Sequence, residues 1–252
     1  MAARRPHVNG SPTIAVSLGL PSMEPDVWRR DVRRARERIG VRQILIVSVL
    51  GTPDVGGDAE SLIEDYARCA AWAADAGADV VEAHLAMPNA FGDVGQMIHE
   101  SIPLSAQILY RIRTRVPVPL VAKLGPFKTP RALHETATKL SPWCDGFELV
   151  HSIHRRVVTD EGDVAFEGTG REAADVVGAA TFPVASRQVE EMLAWRKAGA
   201  WPHAVLAVGG ITSPERAVWI LREGANAALV ATAALFDPLF ATRFRRAEAS
   251  AA

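Results

Sequence analysis

Residues 79–92 read Asp-Val-Val-Glu-Ala-His-Leu-Ala-Met-Pro-Asn-Ala-Phe-Gly, and this stretch decides the fold. It begins with apolar residues, becomes polar at alternating positions, and breaks at Pro88, because proline cannot donate to a strand ladder. Strands that turn polar at their carboxyl ends are typical of barrels that open into a catalytic mouth. Glu82 and His84 are two residues apart, so we expect both to face the same side. The stretch predicts one wall of a functional site, with Asn89 in the loop that follows.

The rest of the chain alternates apolar strands with amphipathic helices. Strands are predicted at residues 13–18, 44–50, 80–86, 120–124, 146–150, 204–208 and 227–231. The intervening helical patterns cover residues 25–39, 58–76, 104–115, 130–140, 184–198 and 213–223. This alternation predicts a parallel sheet, and the number of units favours an α/β fold of the TIM (β/α)8 barrel type over an open sheet. Seven strands are one fewer than a full barrel needs. A small hairpin over residues 156–167, with its turn at residues 160–163, interrupts the alternation.

Length and composition limit the possible classes of protein. The 252 residues are 48% hydrophobic and carry a formal net charge of -1. We therefore expect a flexible arm at residues 1–12 and a single barrel domain at residues 13–252, with no electrostatic basis for binding nucleic acid or an anionic membrane. No apolar run is long enough to span a bilayer, and no signal-peptide pattern is present. Cys69 and Cys144 have no metal-ligand spacing, so the sequence predicts a soluble cytoplasmic protein without a metal site.

Two neighbouring strand ends carry a glycine pattern that suits a phosphate. Gly209-Gly210 closes one predicted strand and precedes a helix that begins at Ser213, and the next strand ends at Ala231-Thr232. Glycines let the backbone approach a ligand, and a helix amino terminus offers N–H groups to an anion. The ends of the last two barrel strands are where phosphate sites recur in this architecture. The alternative is that Gly209-Gly210 forms only a tight turn.

Lys123 is the charged residue in an otherwise apolar strand, Leu120–Leu124. A lysine among apolar side chains must reach a partner or water. It could extend to solvent from the strand end. The other reading is a cation that faces the barrel mouth, close to an electron-rich ring or an anion.

These segments together resemble the dihydroorotate dehydrogenase family of FMN-dependent TIM barrels. The resemblance rests on residues 82–89, 121–124, 207–211 and 228–238, in the family's order and spacing. Ser17-Leu18-Gly19-Leu20-Pro21 is also similar to the Met-Gly-Leu-Pro segment of that family. The resemblance implies hydride transfer between a dihydropyrimidine-like ring and FMN. It implies that FMN contacts Lys123, Gly178, Gly209, Gly210, Ala231 and Thr232, and that Asn89 and the residue at position 84 face the substrate.

The chain departs from the family pattern at several positions. Met87 stands where the family has a cysteine or serine base, and a thioether cannot accept and pass on a proton. His84, Val16 and Glu148 replace three family asparagines. Either His84 or Glu148 could act as the base, because an imidazole or a tuned carboxylate can titrate near the working pH. His84 could equally hold the wall together by hydrogen bonding. Ala231 replaces a glycine of the family's phosphate site.

The amino-terminal part is short by two strands relative to the family. Three explanations are open: an incomplete barrel, a partner chain, or a start that falls inside a longer gene. We expect a small-molecule substrate and either a homo-oligomer or a partner subunit. Two other functions are also open, namely a non-catalytic relative kept as a subunit or binding protein, and a flavin-free barrel for phosphorylated substrates, such as an isomerase or aldolase that uses Lys123.

Overall fold

The computed structural model describes residues 7–8, 11–17, 22–93, 95–166, 168, 173–199 and 201–251. Its strands are β1 (His7–Val8), β2 (Ser11–Val16), β3 (Ile46–Val49), β4 (Val80–His84), β5 (Leu120–Leu124), β6 (Gly146–Leu149), β7 (Ile153–Arg156), β8 (Ala173–Gly178), β9 (Ala204–Ala207) and β10 (Ala227–Ala228). Its α-helices are α1 (Pro25–Arg38), α2 (Ala59–Asp75), α3 (Ile102–Arg113), α4 (Pro130–Leu140), α5 (Phe182–Lys197), α6 (Pro214–Arg222), α7 (Thr232–Phe236) and α8 (Phe240–Ala251).

The helices begin where the sequence supplies capping groups. Asp58 accepts a hydrogen bond from the backbone N–H of Ser61 at the start of α2, and Thr129 caps α4 in the same way. Ser213 caps α6 through the N–H of Arg216. These side chains satisfy N–H groups that have no partner inside the helix. The predicted helices lie close to their expected bounds, and most of the strands are shorter than predicted.

The chain divides into two compact units. The first unit contains residues 20–125 and 129–147, and the second contains residues 1–19, 126–128 and 148–252. The division falls inside β6, so Gly146 and Phe147 are counted in the first unit and Glu148 and Leu149 in the second. The expectation of one barrel domain over residues 13–252, preceded by a flexible arm, stays a prediction.

The first unit is built on three parallel strands. β3 pairs with β4, and β4 with β5, in a register that places Ser48 beside Glu82 and His84 beside Lys123. The start of β6 follows β5, with the N–H of Asp145 bonded to the carbonyl of Leu120 at 2.7 Å. Helices α2, α3 and α4 supply the core residues, which are fully buried and mostly aliphatic: Tyr66, Ile108, Leu109, Ile112, Leu133 and Leu140.

The second unit combines parallel and antiparallel pairing. The end of β6 bonds to β9, because Val150 N–H donates to Val208 O at 2.8 Å, and β9 pairs in parallel with β10. A separate antiparallel sheet has the order β1-β2-β8-β7. Thr159 N–H donates to Asp163 O at 2.8 Å, as expected for the predicted turn at residues 160–163.

The antiparallel sheet corrects one expectation. The segment predicted as the first parallel barrel strand, residues 13–18, is part of β2, which pairs antiparallel with β8 from Thr13 opposite Gly178. The alternation of strands and helices therefore contains six of the seven predicted strands. The sequence did not predict β7 and β8. Residues 1–6, 9–10 and 18–21, which include most of the Gly-Leu-Pro segment, lie outside the described residues.

None of the helices in the described part of the chain has the length and apolar character needed to cross a bilayer.

Candidate functional site

The first unit carries a group of polar side chains on the face of its sheet, which we call the charged wall: Ser48, Glu82, His84 and Lys123. The carboxylate oxygen Oε1 of Glu82 accepts two hydrogen bonds, from Ser48 Oγ at 2.6 Å and from Lys123 Nζ at 3.2 Å. The strand register explains the grouping, because residues that are paired in adjacent parallel strands point to the same face. The wall therefore joins three strands through one carboxylate.

Burial makes the ion pair of the charged wall energetically significant. The side chain of Glu82 is 3% exposed and that of Lys123 is 15% exposed. Charges this far from water are tolerated only when they are paired and hydrogen-bonded. Lys123 therefore has a carboxylate partner inside the first unit, and the interpretation of a lysine that simply extends to solvent is wrong.

His84 lies on the charged wall, and a hydrogen bond from α2 holds its backbone carbonyl. It is 5% exposed and is paired in register with Lys123. The hydroxyl of Tyr66 donates to the carbonyl of His84 at 2.7 Å. Tyr66 has no exposed surface, and burial raises the pKa of its hydroxyl, so it stays a neutral donor. The carboxyl end of β4 is therefore anchored to α2.

The loop after β4 closes on itself through Asn89. The side-chain oxygen of Asn89 accepts from Phe91 N–H at 3.0 Å, and its amide nitrogen donates to Gln96 Oε1 at 2.9 Å. The backbone N–H of Asn89 also donates to Gln96 O at 2.8 Å. Both polar atoms of the predicted substrate contact thus hold the loop in shape. Met87, which occupies the position of the expected base, is half-buried and its carbonyl accepts from Ile98 N–H at 2.7 Å.

A second buried histidine follows this loop. His99 is 1% exposed, and its N–H donates to Leu85 O at 2.9 Å. A methyl group added to Gly125 would lie 2.5 Å from Cε1 of the His99 ring, so only glycine fits after β5. His99 and Ser48 were not recognised in the sequence. Ser48 could have been found by the argument applied to Lys123, since it too is a polar residue in an apolar strand.

The second unit carries a contrasting group, which we call the glycine edge: Gly178, Gly209, Gly210, Thr232 and the start of α5. Gly209 and Gly210 have φ angles of 106° and 71°, in the left-handed region that favours glycine. A Cβ on Gly210 would lie 2.5 Å from the backbone nitrogen of Phe182, and one on Gly209 would lie 2.7 Å from Val150 O. The paired glycines are therefore required by packing against protein backbone as well as by their conformation.

Gly178 and Thr232 meet at the same edge. Gly178 has a φ of 89°, and a Cβ there would lie 2.3 Å from Pro12 O and 3.0 Å from Cγ2 of Thr232. Thr232 is 7% exposed and begins α7, directly after Ala231. Gly178 and Thr232 thus lie against each other, while Gly209 and Gly210 lie against Thr181 and Phe182. That these residues hold FMN stays a prediction.

Arg216 holds the turn after Gly210 in place. Its guanidinium donates to Gly210 O at 2.9 Å and to Thr212 Oγ1 at 3.0 Å, and it lies 4.2 Å from the centre of the Phe182 ring. One turn of α6 earlier, the Ser213 hydroxyl bonded to Glu215 lowers the pKa of that carboxyl. The start of α6 therefore already carries a negative charge.

The remaining candidates are buried and held by protein. Glu148, on β6, has no exposed surface. The Oε1 atom of Gln188, on α5, accepts from Phe127 N–H at 3.0 Å. Burial raises the pKa of the Cys69 thiol to about 11 and that of Cys144 to about 12. Neither thiol can replace the missing cysteine base, because the reactive form is the thiolate.

Known proteins with related sequences are dihydroorotate dehydrogenases. The chain is 26% identical over 237 residues to the dihydroorotate dehydrogenase of Dictyostelium discoideum, a match that covers 92% of the chain and 62% of the relative. It is 30% identical over 163 residues to the catalytic subunit of dihydroorotate dehydrogenase B (NAD(+)) of Thermodesulfovibrio yellowstonii, with coverage of 65% and 51%. The corresponding subunit of Methanothermobacter thermautotrophicus is 25% identical over 240 residues, with coverage of 91% and 68%. The chain thus spans about half to two thirds of the length of these relatives.

A solved structure supports the fold class. The dihydroorotate dehydrogenase of Eimeria tenella, in complex with ferulenol, matches with a TM-score of 0.68 over 93% of the chain and 66% of that structure, at 17% sequence identity. This likeness confirms the predicted α/β fold of the TIM-barrel type. No protein-family model matches the chain.

Proposed function

The chain is a distant homologue of the dihydroorotate dehydrogenases across most of its length, and from this we propose that it is an FMN-binding oxidoreductase. The proposed reaction transfers a hydride between a dihydropyrimidine-like substrate and FMN, in pyrimidine metabolism. The observation that carries the proposal is the glycine edge, where Gly209 and Gly210 lie against the start of α5 and Gly178 lies against Thr232.

The residues present suit the cofactor. In the glycine edge, Gly209 and Gly210 would hold the phosphate through their backbone, with Ala231 and Thr232 completing the site. In the charged wall, Lys123 offers a cation of the kind that stabilises an electron-rich ring. FMN, when bound, supplies the acceptor for the hydride. The protein's own contribution is to bind the phosphate, to orient the ring and to hold the proton that leaves the substrate.

The base is assigned to His84 or Glu148. His84 lies beside Lys123 on the charged wall, and an imidazole is the side chain whose ordinary pKa lies nearest to the working pH. Glu148 is a fully buried carboxyl group, and burial favours the neutral form of a carboxyl. His84→Gln and Glu148→Gln, measured as pH profiles of turnover, separate the two. The variant of the true base loses its acidic limb as well as its rate.

Two alternatives remain testable. Met87, which cannot act as a base, favours a non-catalytic relative that serves as a subunit or binding protein. The names of two relatives, as catalytic subunits, favour a partner subunit for this chain as well. A flavin-free aldolase that uses Lys123 as a Schiff-base residue is disfavoured, because the paired carboxylate of Glu82 stabilises the ammonium and only the free amine attacks a carbonyl.

The test is ligand binding followed by turnover. Purified protein is titrated with FMN and, as a matched control, with riboflavin, which has the same ring without the phosphate. We expect the fluorescence of FMN to be quenched in a saturable way as it binds. At one hundred times its Kd, FMN should raise the free energy of unfolding by about 2.7 kcal/mol. Riboflavin should bind at least tenfold more weakly.

Turnover decides between the enzyme and the binding protein. Dihydroorotate and dihydrouracil are supplied with an artificial electron acceptor, and bleaching of the bound flavin is followed. Bound FMN that no dihydropyrimidine reduces would support the non-catalytic alternative. Absence of FMN binding, together with a borohydride-trapped adduct of a phosphorylated carbonyl compound on Lys123, would support the aldolase.

A further inference from the structure

One carboxylate oxygen organises the charged wall. Oε1 of Glu82 receives both the Ser48 hydroxyl, at 2.6 Å, and the Lys123 ammonium, at 3.2 Å. The side chain of Glu82 is 3% exposed, so a carboxylate that lost these partners would have little access to water. Movement of the carboxylate would break both bonds, and two partners on neighbouring strands therefore restrain its position.

The register shows that Lys123 reaches its partner along a diagonal. The residue paired with Lys123 on β4 is His84, whereas Glu82 is paired with Val121. Lys123 therefore extends toward a position two residues back along β4 instead of straight across the sheet. A lysine side chain has four rotatable bonds and loses much entropy when it is held in one conformation. The attraction of Glu82 accounts for this restrained direction.

We propose that Glu82, itself held by Ser48, is the positioning residue for Lys123 and fixes its Nζ for contact with the ring of the bound flavin. This inference rests on the proposed function. An ammonium carries three N–H donors, so the bond to Glu82 does not by itself exhaust its capacity. Glu82 acts through Lys123 and needs no contact with the ligand, and Ser48 restrains the carboxylate from β3.

The first measurement uses the protein without flavin. Glu82→Gln preserves the shape of the side chain and one acceptor oxygen but removes the charge. Lysine labelling by trinitrobenzenesulfonate at pH 8 is followed by peptide mass spectrometry, with the exposed Lys139 as internal standard. Without the counter-charge the ammonium is stabilised less, so labelling of Lys123 should rise about tenfold.

A matched control removes a carboxylate elsewhere in the same unit. Glu64 pairs with Arg111 at 2.9 Å and with Arg115 at 2.6 Å on the surface of α2. Glu64→Gln should leave the labelling of Lys123 at the wild-type rate. If Glu82→Gln unfolds the protein, Ser48→Ala takes its place, with an expected two- to threefold rise, and Ser48→Thr, which keeps the hydroxyl, should match the wild type.

The second measurement is FMN affinity in a double-mutant cycle. We expect Glu82→Gln and Lys123→Met each to raise the Kd for FMN about tenfold. The double variant should bind no more weakly than Lys123→Met alone, because Glu82 acts only through the lysine. The flavin absorbance maximum should shift equally in the two single variants.

Each outcome decides one question. Unchanged labelling of Lys123 in Glu82→Gln overturns the inference. Additive losses of FMN affinity in the double-mutant cycle do so as well. So does a Glu82→Gln variant that is less stable to unfolding but binds FMN with an unchanged Kd. If the wild type binds no FMN, the proposed function and the positioning role both fail. If the wild type binds FMN but Glu82→Gln binds it equally well, the positioning role alone fails.

Discussion

The charged wall and the glycine edge are constrained by different physical effects. The charged wall of the first unit places side chains where burial is costly, and it is stable because Glu82 gathers its neighbours into one ion-paired group. In the glycine edge of the second unit the closest contacts of Gly209 and Gly210 leave no room for a Cβ, and one charged side chain, Arg216, bonds to the carbonyl of Gly210. Electrostatic pairing thus constrains one region and backbone sterics the other. Mutations should therefore act in different ways in the two regions.

The largest effect is expected for Gly210→Ala. The new Cβ would lie 2.5 Å from the Phe182 backbone nitrogen, at a φ of 71°. Strain and overpacking together should lower the free energy of unfolding by about 4 kcal/mol in a urea titration. Gly56→Ala is the matched control, since Gly56 has a φ of 72° but no atom within 4 Å of the added methyl group. It should cost only about 1 kcal/mol. Equal losses would show that conformation alone, without packing, sets the requirement.

The next effect is expected in the charged wall. Lys123→Met leaves the buried Glu82 carboxylate without its cation, which should cost about 3 kcal/mol of unfolding free energy. The control Lys139→Met, on the exposed face of α4, should change stability by less than about 0.5 kcal/mol. A loss at position 123 no greater than at position 139 would mean that the ion pair contributes nothing net.

A smaller effect should follow the loss of Arg216, which supports the glycine edge by side-chain bonds. Arg216→Ala removes the donors to Gly210 O and Thr212 Oγ1 and the contact with the Phe182 ring. We expect a loss of about 1.5 kcal/mol, measured by the shift of the urea midpoint. Arg222→Ala, on the same helix but exposed, should be close to neutral. A neutral Arg216→Ala would show that the glycines hold the turn unaided.

The smallest effect is expected for Ser48→Ala. The hydroxyl of Ser48 donates to Glu82 from an exposed position, so its removal should cost at most about 1 kcal/mol. Ser22→Ala, which removes an exposed hydroxyl that bonds only to the neighbouring carbonyl of Met23, serves as the control and should be neutral. A loss at position 48 greater than that of Lys123→Met would show that the wall depends on Ser48 more than on the ion pair.

Local pattern was enough to find most elements and several site residues. Lys123 was recognisable because a charge inside an apolar strand demands a partner. The same reasoning applies to Ser48, which was overlooked. Asn89 was expected to face a substrate, whereas both of its side-chain polar atoms bond within its own loop. Which of two possible partners an amide takes depends on the loop path, and the sequence pattern does not contain that path.

Non-local pairing was the part that the pattern missed. The segment of β2 has the apolar character of a barrel strand, yet it pairs antiparallel with β8, some 160 residues away. Strand patterns show that a segment is extended but do not name its neighbour. The six other predicted strands lie in the α/β alternation because short connections through helices favour parallel neighbours.

The sequence by itself determined the order of strands and helices, the isolated lysine, and the paired glycines, since each depends on residues close in the chain. Only the tertiary structure decided that Glu82 is the partner of Lys123 and that Gly210 packs against Phe182. Those contacts join residues 41 and 28 positions apart, and their geometry is set by strand register and helix placement.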